Sequence, residues 1–350
     1  MAAYISFQPS DFFNTTLYTG NGTAIGSGGL AVTGVGFQPD FTWIKNRDTT
    51  DNYILTDAVR GATNYVNCDR TNIQATNAES LTTWGADGFT LGNHAAVNTS
   101  AEAYVSWNWK AGTTTGLSGG TITPTAYSIN TTSGFGIYQY DGNSTSGATI
   151  AHGLGAVPQL VIVKCLDAAE NWATGQVGFA FTQWMPLDTS GTPTTTAVTW
   201  NDTAPTSTLI TLGDNALVNT HTTLGYIMYA FAEKRGFSKF GVYTGNNNVE
   251  GPMIYTGFRP AWVLFKRIDS SENWSLYDNK RGPRNVISLG LRPNLDLAES
   301  SYGGANAVDF LSNGFKIREG GTNINNGTYI YSAFAEYPLV SSNSKSGVAR

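Results

Sequence analysis

Three strand-length runs of apolar residues recur along the chain, and each begins directly after a proline. The runs are Asp40–Ile44, Gln159–Val163 and Ala261–Phe265, after Pro39, Pro158 and Pro260. Nearly continuous apolar and β-branched residues are typical of strands that are buried on both faces. A proline at the edge of a strand removes no ladder hydrogen bond, so it marks where each strand begins. The pattern predicts three buried strands, each ending near a lysine. These are Lys45, Lys164 and Lys266.

A second type of run, rich in aromatic and small residues, follows about sixty residues after each of the first runs. These runs are Tyr104–Trp109, Tyr226–Glu233 and Tyr329–Glu336. Alternate side chains of a strand point to opposite faces, so Val105, Trp107 and Trp109 share one face and Ser106 lies on the other. One bulky face and one small face favour a two-layer β-sandwich.

The spacing of these runs indicates a threefold tandem repeat. The prolines are separated by 119 and 102 residues, and so are the lysines and a downstream pair of an asparagine and an aromatic residue. Those pairs begin at Asn52, Asn171 and Asn273. A Tyr-x-Gly-Asn turn opens each copy, at Tyr18, Tyr140 and Tyr243. We therefore predict an all-β protein of three antiparallel, sandwich-like units of about 100 residues, of jelly-roll or lectin-like type.

The predicted boundaries follow the composition. They are 1–112 for unit 1 with its N-terminal lead-in, 113–134 for a Gly/Thr/Ser-rich linker and lead-in strand, 135–233 for unit 2, 234–336 for unit 3 and 337–350 for a polar C-terminal tail. The linker composition of Thr113–Thr125 predicts enough flexibility for unit 1 to reorient against unit 2. The short join between units 2 and 3 predicts a nearly rigid pair.

The composition narrows the class of protein. Charged residues make up 13%, and Thr, Asn, Ser and 40 glycines take their place, which favours strands and tight turns. A hydrophobic fraction of 41% argues against a disordered chain. The net charge of -5 gives no electrostatic reason to expect nucleic acid. The N-terminus lacks the pattern of a secretory signal, and no stretch reaches the ~20 apolar residues of a membrane span.

Catalytic, cofactor and metal sites are not predicted. The three histidines, His94, His152 and His221, have no second ligand at metal-binding spacing. The glycine-rich stretches lack the lysine and following helix of a phosphate-binding loop. Acidic residues are too sparse to suggest a pair of glycosidase carboxylates. Cys68 and Cys165 are expected to be reduced, partly buried thiols.

One polar motif occurs in two of the three units. Unit 1 has Asp57 and Arg60 before Gly61, and unit 3 has Asp278 and Arg281 before Gly282. The spacing of three residues predicts a turn with an internal ion pair, ended by a left-handed glycine. The alternative is that the aspartates bind calcium or a ligand. Unit 2 has Gln176 in place of the aspartate, which favours the structural interpretation.

Tryptophans divide into two groups. Trp43, Trp107, Trp172, Trp262 and Trp274 lie in the recurring runs and are predicted to be core residues. Trp84, Trp184 and Trp200 lie in the segments where the units differ. We interpret these three as candidate surface residues that could stack on sugar rings.

The recurring motifs resemble a repeat domain of structural proteins of marine bacteriophages, cyanophages among them. They are Tyr18–Gly22, Gly36–Arg47, Asp57–Gly61, Phe240–Asn246, Gly257–Val263 and Asn279–Arg281. Unit 2 departs from the pattern between Gln176 and Pro205. The resemblance covers all three units and carries no catalytic residues.

This resemblance implies a non-enzymatic virion protein, assembled in the bacterial host cytoplasm and displayed on the particle. It implies contacts with other capsid or tail proteins, further copies of the chain and a host-surface glycan. The net charge and the lack of a long apolar stretch argue against contacts with nucleic acid and membrane. Two alternatives follow: a head decoration or projection, or a tail fibre that binds the receptor. The lack of heptads for a trimerising stalk slightly favours the decoration. The alternative class is a free carbohydrate-binding or glycan-degrading protein.

Overall fold

The computed structural model describes residues 5–220, 225–302 and 307–340. Antiparallel sheets dominate it, and each helix in the described ranges is a single turn. The predicted all-β class is therefore confirmed. The predicted tail lies outside the described residues from 341 onward.

The described part of unit 1 contains nine strands. The elements are 3₁₀ turns at Pro9–Asp11 and Ile25–Ser27, β1 Phe13–Thr19, β2 Leu30–Thr33, β3 Phe41–Asn46, β4 Ile54–Asp57, β5 Asn64–Tyr65, β6 Ala75–Thr76, β7 Leu81–Gly85, β8 Gly88–Leu91, helix α1 Ala95–Asn98 and β9 Ala103–Trp109.

Unit 2 and its lead-in strand follow. The elements are β10 Ala126–Asn130, β11 Phe135–Asp141, β12 Ala148–Ala151, β13 Pro158–Cys165, β14 Ala173–Gln176, β15 Gln183–Pro186, β16 Thr194–Thr195, helix α2 Ala197–Trp200, β17 Leu209–Leu212 and β18 Gly225–Ala232.

Unit 3 follows unit 2. The elements are β19 Ser238–Thr244, β20 Met253–Tyr255, β21 Phe258–Arg267, β22 Ser275–Asp278, β23 Val308–Leu311, β24 Gly314–Ile317 and β25 Thr328–Pro338.

Each unit contains an inner sheet with one shared strand order. The order is β1-β9-β3-β4 in unit 1 and β19-β25-β21-β22 in unit 3. Unit 2 has the corresponding β11-β18-β13-β14, extended by β10 at one edge and by β15 and β16 at the other. A smaller outer sheet accompanies each inner sheet: β2-β8-β7, β12-β17 and β20-β24-β23.

The two faces of each inner sheet enter different cores, as strand alternation requires. In β9, Val105, Trp107 and Trp109 contribute to a core shared by all three units, whereas Tyr104 packs with the outer sheet of its own unit. In β25, Phe334 points into the shared core and Ala333 into the core of unit 3. Burial on both faces explains why these runs are almost continuously apolar.

Three aromatic rings occupy the centre of the shared core. Trp109, Phe231 and Phe334 hold equivalent positions in the middle strands of the three inner sheets, and their ring centroids lie 5.5, 5.7 and 6.2 Å apart. Aromatic pairs at such distances add to the free energy of simple burial. The three sheets therefore pack in a ring around one aromatic centre, with an apolar cavity of about 20 Å³ beside it.

The predicted flexibility of the linker was wrong. Thr113 and Ile129 exchange two backbone hydrogen bonds, and Ile122 is buried and paired with Ile150. More importantly, unit 1 shares its core with both other units, so it cannot turn independently. Gly, Ser and Thr give a segment the freedom to bend, but the apolar surface that the linked units bury decides whether it does.

We expect a protease site inserted after Thr115, in the exposed part of the linker, to be cut without releasing unit 1. The shared core should hold the two pieces together, so that they elute as one particle of unchanged size in native gel filtration and separate only on a denaturing gel. A fragment ending at residue 115 that elutes alone would contradict the shared core.

Candidate functional site at the junctions between units

The Asp-x-x-Arg motif forms a buried ion pair in both units that carry it. Arg60 Nε donates to Asp57 Oδ2 at 2.6 Å, and Arg281 Nε donates to Asp278 Oδ2 at 2.6 Å. In both turns the backbone N–H of the arginine also donates to the Oδ1 atom of the same aspartate. All four side chains are at most 1% exposed, so each pair needs further polar partners to offset desolvation.

The glycines that follow the two motifs have different structural roles. Gly61 has a φ of +86°, the predicted left-handed conformation. Gly282 does not adopt it, so the prediction was wrong there. A Cβ on Gly282 would lie 2.7 Å from the Cγ2 atom of Ile287, which shows that this glycine is required for space.

A neighbouring unit supplies one further donor to each turn. Tyr229 Oη of unit 2 donates to Asp57 Oδ2 at 2.7 Å, and Trp107 Nε1 of unit 1 donates to Asp278 Oδ2 at 3.0 Å. Ser332 Oγ of unit 3 lies 3.3 Å from Gln176 Oε1 of unit 2. These donors occupy equivalent places in β18, β9 and β25. The bonds therefore run in one cyclic sense, from unit 2 to unit 1, from unit 1 to unit 3 and from unit 3 to unit 2.

Unit 2 closes its junction without charge. Gln176 Nε2 donates to the backbone carbonyl of Tyr331 at 2.8 Å, and Phe179, at the position of the arginine, packs against the shared core. A neutral amide beside an apolar residue avoids the desolvation cost of an ion pair. The carboxylates in units 1 and 3 already accept arginine and cross-unit donors, which argues against the calcium interpretation. No cluster of three metal-binding side chains occurs in the ranges described.

Three buried lysines cross the same junctions in the same sense. Nζ of Lys45 donates to the carbonyl of Asp296 in unit 3 at 3.1 Å. Lys164 reaches the carbonyl of Thr71 in unit 1 at 2.9 Å. Lys266 reaches a carbonyl of unit 2, that of Ser190, at 3.2 Å. Burial lowers the pKa of each lysine to about 8. The lysines that mark the recurring sequence pattern thus fasten each unit to the next.

A carboxylate or an amide receives the backbone N–H of the aromatic residue in each junction. Trp172 N donates to Asp188 Oδ1 at 3.2 Å, and Tyr53 N donates to Asp69 Oδ1 at 3.3 Å. In unit 3 the acceptor is the amide oxygen of Asn294, 2.9 Å from Trp274 N. Burial raises the pKa of both Asp69 and Asp188 to about 6, and their Oδ2 atoms are buried without a hydrogen-bond partner.

Three buried asparagines that sequence reasoning missed hold the Tyr-x-Gly-Asn turns. Oδ1 atoms of Asn98, Asn219 and Asn325 accept the backbone N–H of Asn21, Asn143 and Asn246. Their Nδ2 groups donate to the carbonyls of Thr23, Thr145 and Asn248, on the other side of each turn. An Ala-x-Val-Asn-Thr pattern at Ala95–Thr99 and Ala216–Thr220 could have revealed two of them. The distance to the closing strand differs among the units, so a search for constant offsets does not find them.

The tryptophans only partly follow prediction. All five predicted core tryptophans are buried, which confirms that group. Trp84 in β7 and Trp184 in β15 are half-buried against the cores of their own units, and they do not lie together. Trp200 was wrongly assigned to the surface. It is fully buried, because α2 turns it inward, edge-on to Phe181 at a centroid distance of 5.7 Å.

Unit 2 contains a half-open cleft of about 410 Å³ in the segment where the units diverge. Its walls are residues 157–159 at the start of β13, residues 177–182 after β14, and Asp202, Ala204 and Pro205. Asn201 and Asp202 both have positive φ, near +50°, a left-handed conformation that asparagine and aspartate adopt more readily than other non-glycine residues. Asp202 is the one charged residue of the lining, and apolar side chains form most of the rest.

A family model for a domain of unknown function (DUF7483) matches residues 8–338. The chain belongs to this family. The single DUF7483 match begins before β1 and ends at the last residue of β25, so it includes all three inner sheets. No curated protein and no solved structure matches the chain. Within the residues described, no helix is long and apolar enough to span a membrane.

Tyr229→Phe should destabilise the protein by about 1–3 kcal/mol, because it removes a hydroxyl that donates to the buried carboxylate of Asp57. Ser332→Ala is the matched control at the equivalent position. This substitution should lower the free energy of unfolding by about 0.5–1.5 kcal/mol, since the partner of the Ser332 hydroxyl is the neutral side-chain amide of Gln176. Urea unfolding of both variants measures the difference. Equal losses would show that the charge of the acceptor is unimportant.

Asp188→Asn should stabilise the protein at neutral pH. Because the folded pKa of about 6 exceeds the ordinary value of 3.8, the aspartate favours folding at low pH, and that contribution is lost as the pH rises towards 6. The free energy of unfolding of the variant should therefore rise relative to that of the wild type between pH 4 and 6, by about 1–3 kcal/mol, and this difference should persist at pH 7.

Unfolding curves at a series of pH values measure this gain. The reverse change, Asn294→Asp, is the matched control and should make unit 3 less stable as the pH rises. Parallel pH profiles for the wild type and both variants would refute the assignment.

Proposed function

We propose that this chain is a non-enzymatic structural protein of a bacteriophage particle, displayed on the particle surface. The observation that carries the proposal is the ring of three units closed around one aromatic core. The resemblance of the recurring motifs to phage structural proteins supports the same role. The particle would be assembled in the cytoplasm of the bacterial host.

The use of polar residues supports a structural role over an enzymatic one. Enzymes concentrate ionisable groups with shifted pKa values around a cleft. Here the buried aspartates, arginines and lysines lie at the junctions and bind neighbouring units. Cys68 and Cys165 are free and fully buried, more than the partial burial expected from the sequence. The polar chemistry of the chain therefore serves its own assembly.

A head decoration or short projection is the version we favour, with a tail fibre that binds the host receptor as the other. A ring of three similarly built units presents similar outer sheets in three directions, which suits contacts with symmetry-related capsid proteins. Its partners would be capsid or tail proteins and further copies of the chain, with no nucleic acid or membrane.

Purified particles of the virus that encodes the chain provide the test. We expect mass spectrometry to detect the protein in amounts similar to other surface proteins, and immunogold labelling to place it on the head. Labelling of the tail would favour the receptor-binding version. Absence from washed particles, with the protein present in the infected-cell lysate, would end the proposal.

A second candidate function is carbohydrate binding, which the cleft in unit 2 favours. An apolar wall beside a carboxylate and the Thr182 hydroxyl suits one face and the hydroxyl groups of a neutral sugar. Titration with host polysaccharides should then shift the resonances of the cleft, and Asp202→Ala should weaken binding about tenfold. Trp84→Ala, in unit 1, is the control that should leave binding unchanged. No response to any host polysaccharide would exclude this function.

A further inference from the structure

The inner sheets expose the same edge in two units and cover it in the third. The strands at this edge are β1, β11 and β19, which occupy equivalent places in their sheets. In unit 2, β10 pairs with β11 in antiparallel register, from Ala126 opposite Gln139 to Asn130 opposite Phe135. Among the described residues, β1 pairs only with β9 and β19 only with β25. Within the described residues, the outward backbone groups of these two seven-residue strands therefore have no strand partner, and in β19 the N–H of Phe240 lies 3.5 Å from a carboxylate oxygen of Glu233.

Exposed aliphatic side chains mark the two open edges. Leu17 in β1 is 40% exposed, and Val242, at the equivalent position of β19, is 43% exposed. The equivalent residue of unit 2 is Gln139, which pairs with Ala126 of β10. An apolar residue thus occurs where the edge is open, and a polar one where the fold already covers it.

Proline and bulges, two of the usual protections against pairing, are absent from both open edges. Natural edge strands are commonly shielded by charged side chains, proline or bulges. β1 contains neither a charged residue nor a proline. β19 has Lys239 as its one charged residue, and Glu233 neutralises it at 2.8 Å. Long and nearly neutral edges of this type are suited to receive another strand.

We propose that β1 of one copy pairs with β19 of a second copy, in the antiparallel manner of β10 on β11. The strands are equal in length, and neither carries an uncompensated charge that would repel the other. Each copy offers one edge of each kind, so the contact is heterologous and leaves a complementary edge free on both partners. Copies would then add successively into rings or linear arrays. This association concerns the isolated chain and does not depend on the proposed virion role.

Light scattering after gel filtration, over micromolar to millimolar concentrations, tests the proposal on the full chain. We expect the wild type to form species that grow with concentration. Leu17→Lys and Val242→Lys should each weaken association about tenfold or more, because either change places a charge at every contact. Gln139→Lys is the matched control on the covered edge and should associate like the wild type.

A mixture of the two lysine variants is the most specific measurement. The Leu17→Lys copy keeps an intact β19, and the Val242→Lys copy keeps an intact β1, so the mixture should form a heterodimer and stop there. Circular dichroism and thermal unfolding check that each variant is folded. Leu17→Ser and Val242→Ser replace any lysine variant that is not.

Three results would overturn the proposal. They are a wild type that stays monomeric at every concentration, folded lysine variants that associate like the wild type, and a mixture that forms no heterodimer. The particle-labelling experiment is independent, so failure of self-association and failure of the virion role can be told apart.

Discussion

Contact among Trp109, Phe231 and Phe334 is the constraint on which the rest of the fold depends. Each ring comes from the central strand of a different inner sheet, and the three centroids lie within 6.2 Å of one another. A four-stranded sheet with two apolar faces cannot remain exposed in water. The outer sheet of each unit covers one face, and only the other two units cover the second. No unit completes its burial alone.

The ring of three units buries polar groups away from water. At the junctions these groups form hydrogen bonds that run from unit to unit in one cyclic order. Tyr229, Trp107 and Ser332 each point from one unit to the turn of the next. The three lysines do the same through backbone carbonyls. Breaking one partner of such a contact leaves a buried polar group unpaired, which costs more than the contact contributes when it is intact. The junctions therefore specify how the units face one another.

The same arrangement separates regions that can change from regions that cannot. Residues at the junctions are tied to two units. The segment from Val177 to Pro205 is tied to unit 3 through the carbonyls of Pro186 and Ser190, whereas its Trp200 packs in the core of unit 2 alone. Unit 2 has Gln176 and Phe179 where the other units have the ion pair, and a cleft with Asp202 in its wall lies nearby. The strand edges differ as well, since one is covered by β10 and two are open. Binding functions are best placed in these less constrained regions.

The sequence alone determined the strands, their two-faced burial and the ion-paired turns, because these depend on local alternation and short spacing. Proline before a strand and aspartate three residues before arginine act within a few residues. Tertiary structure decided that the linker is fixed and that Trp200 is buried. It also decided that Gly282 is required because a side chain there would clash with Ile287, not because the turn needs a left-handed residue. It also decided that the aligned lysines reach into neighbouring units. Those outcomes depend on which surfaces meet across hundreds of residues, and no local pattern encodes the partner of an apolar face.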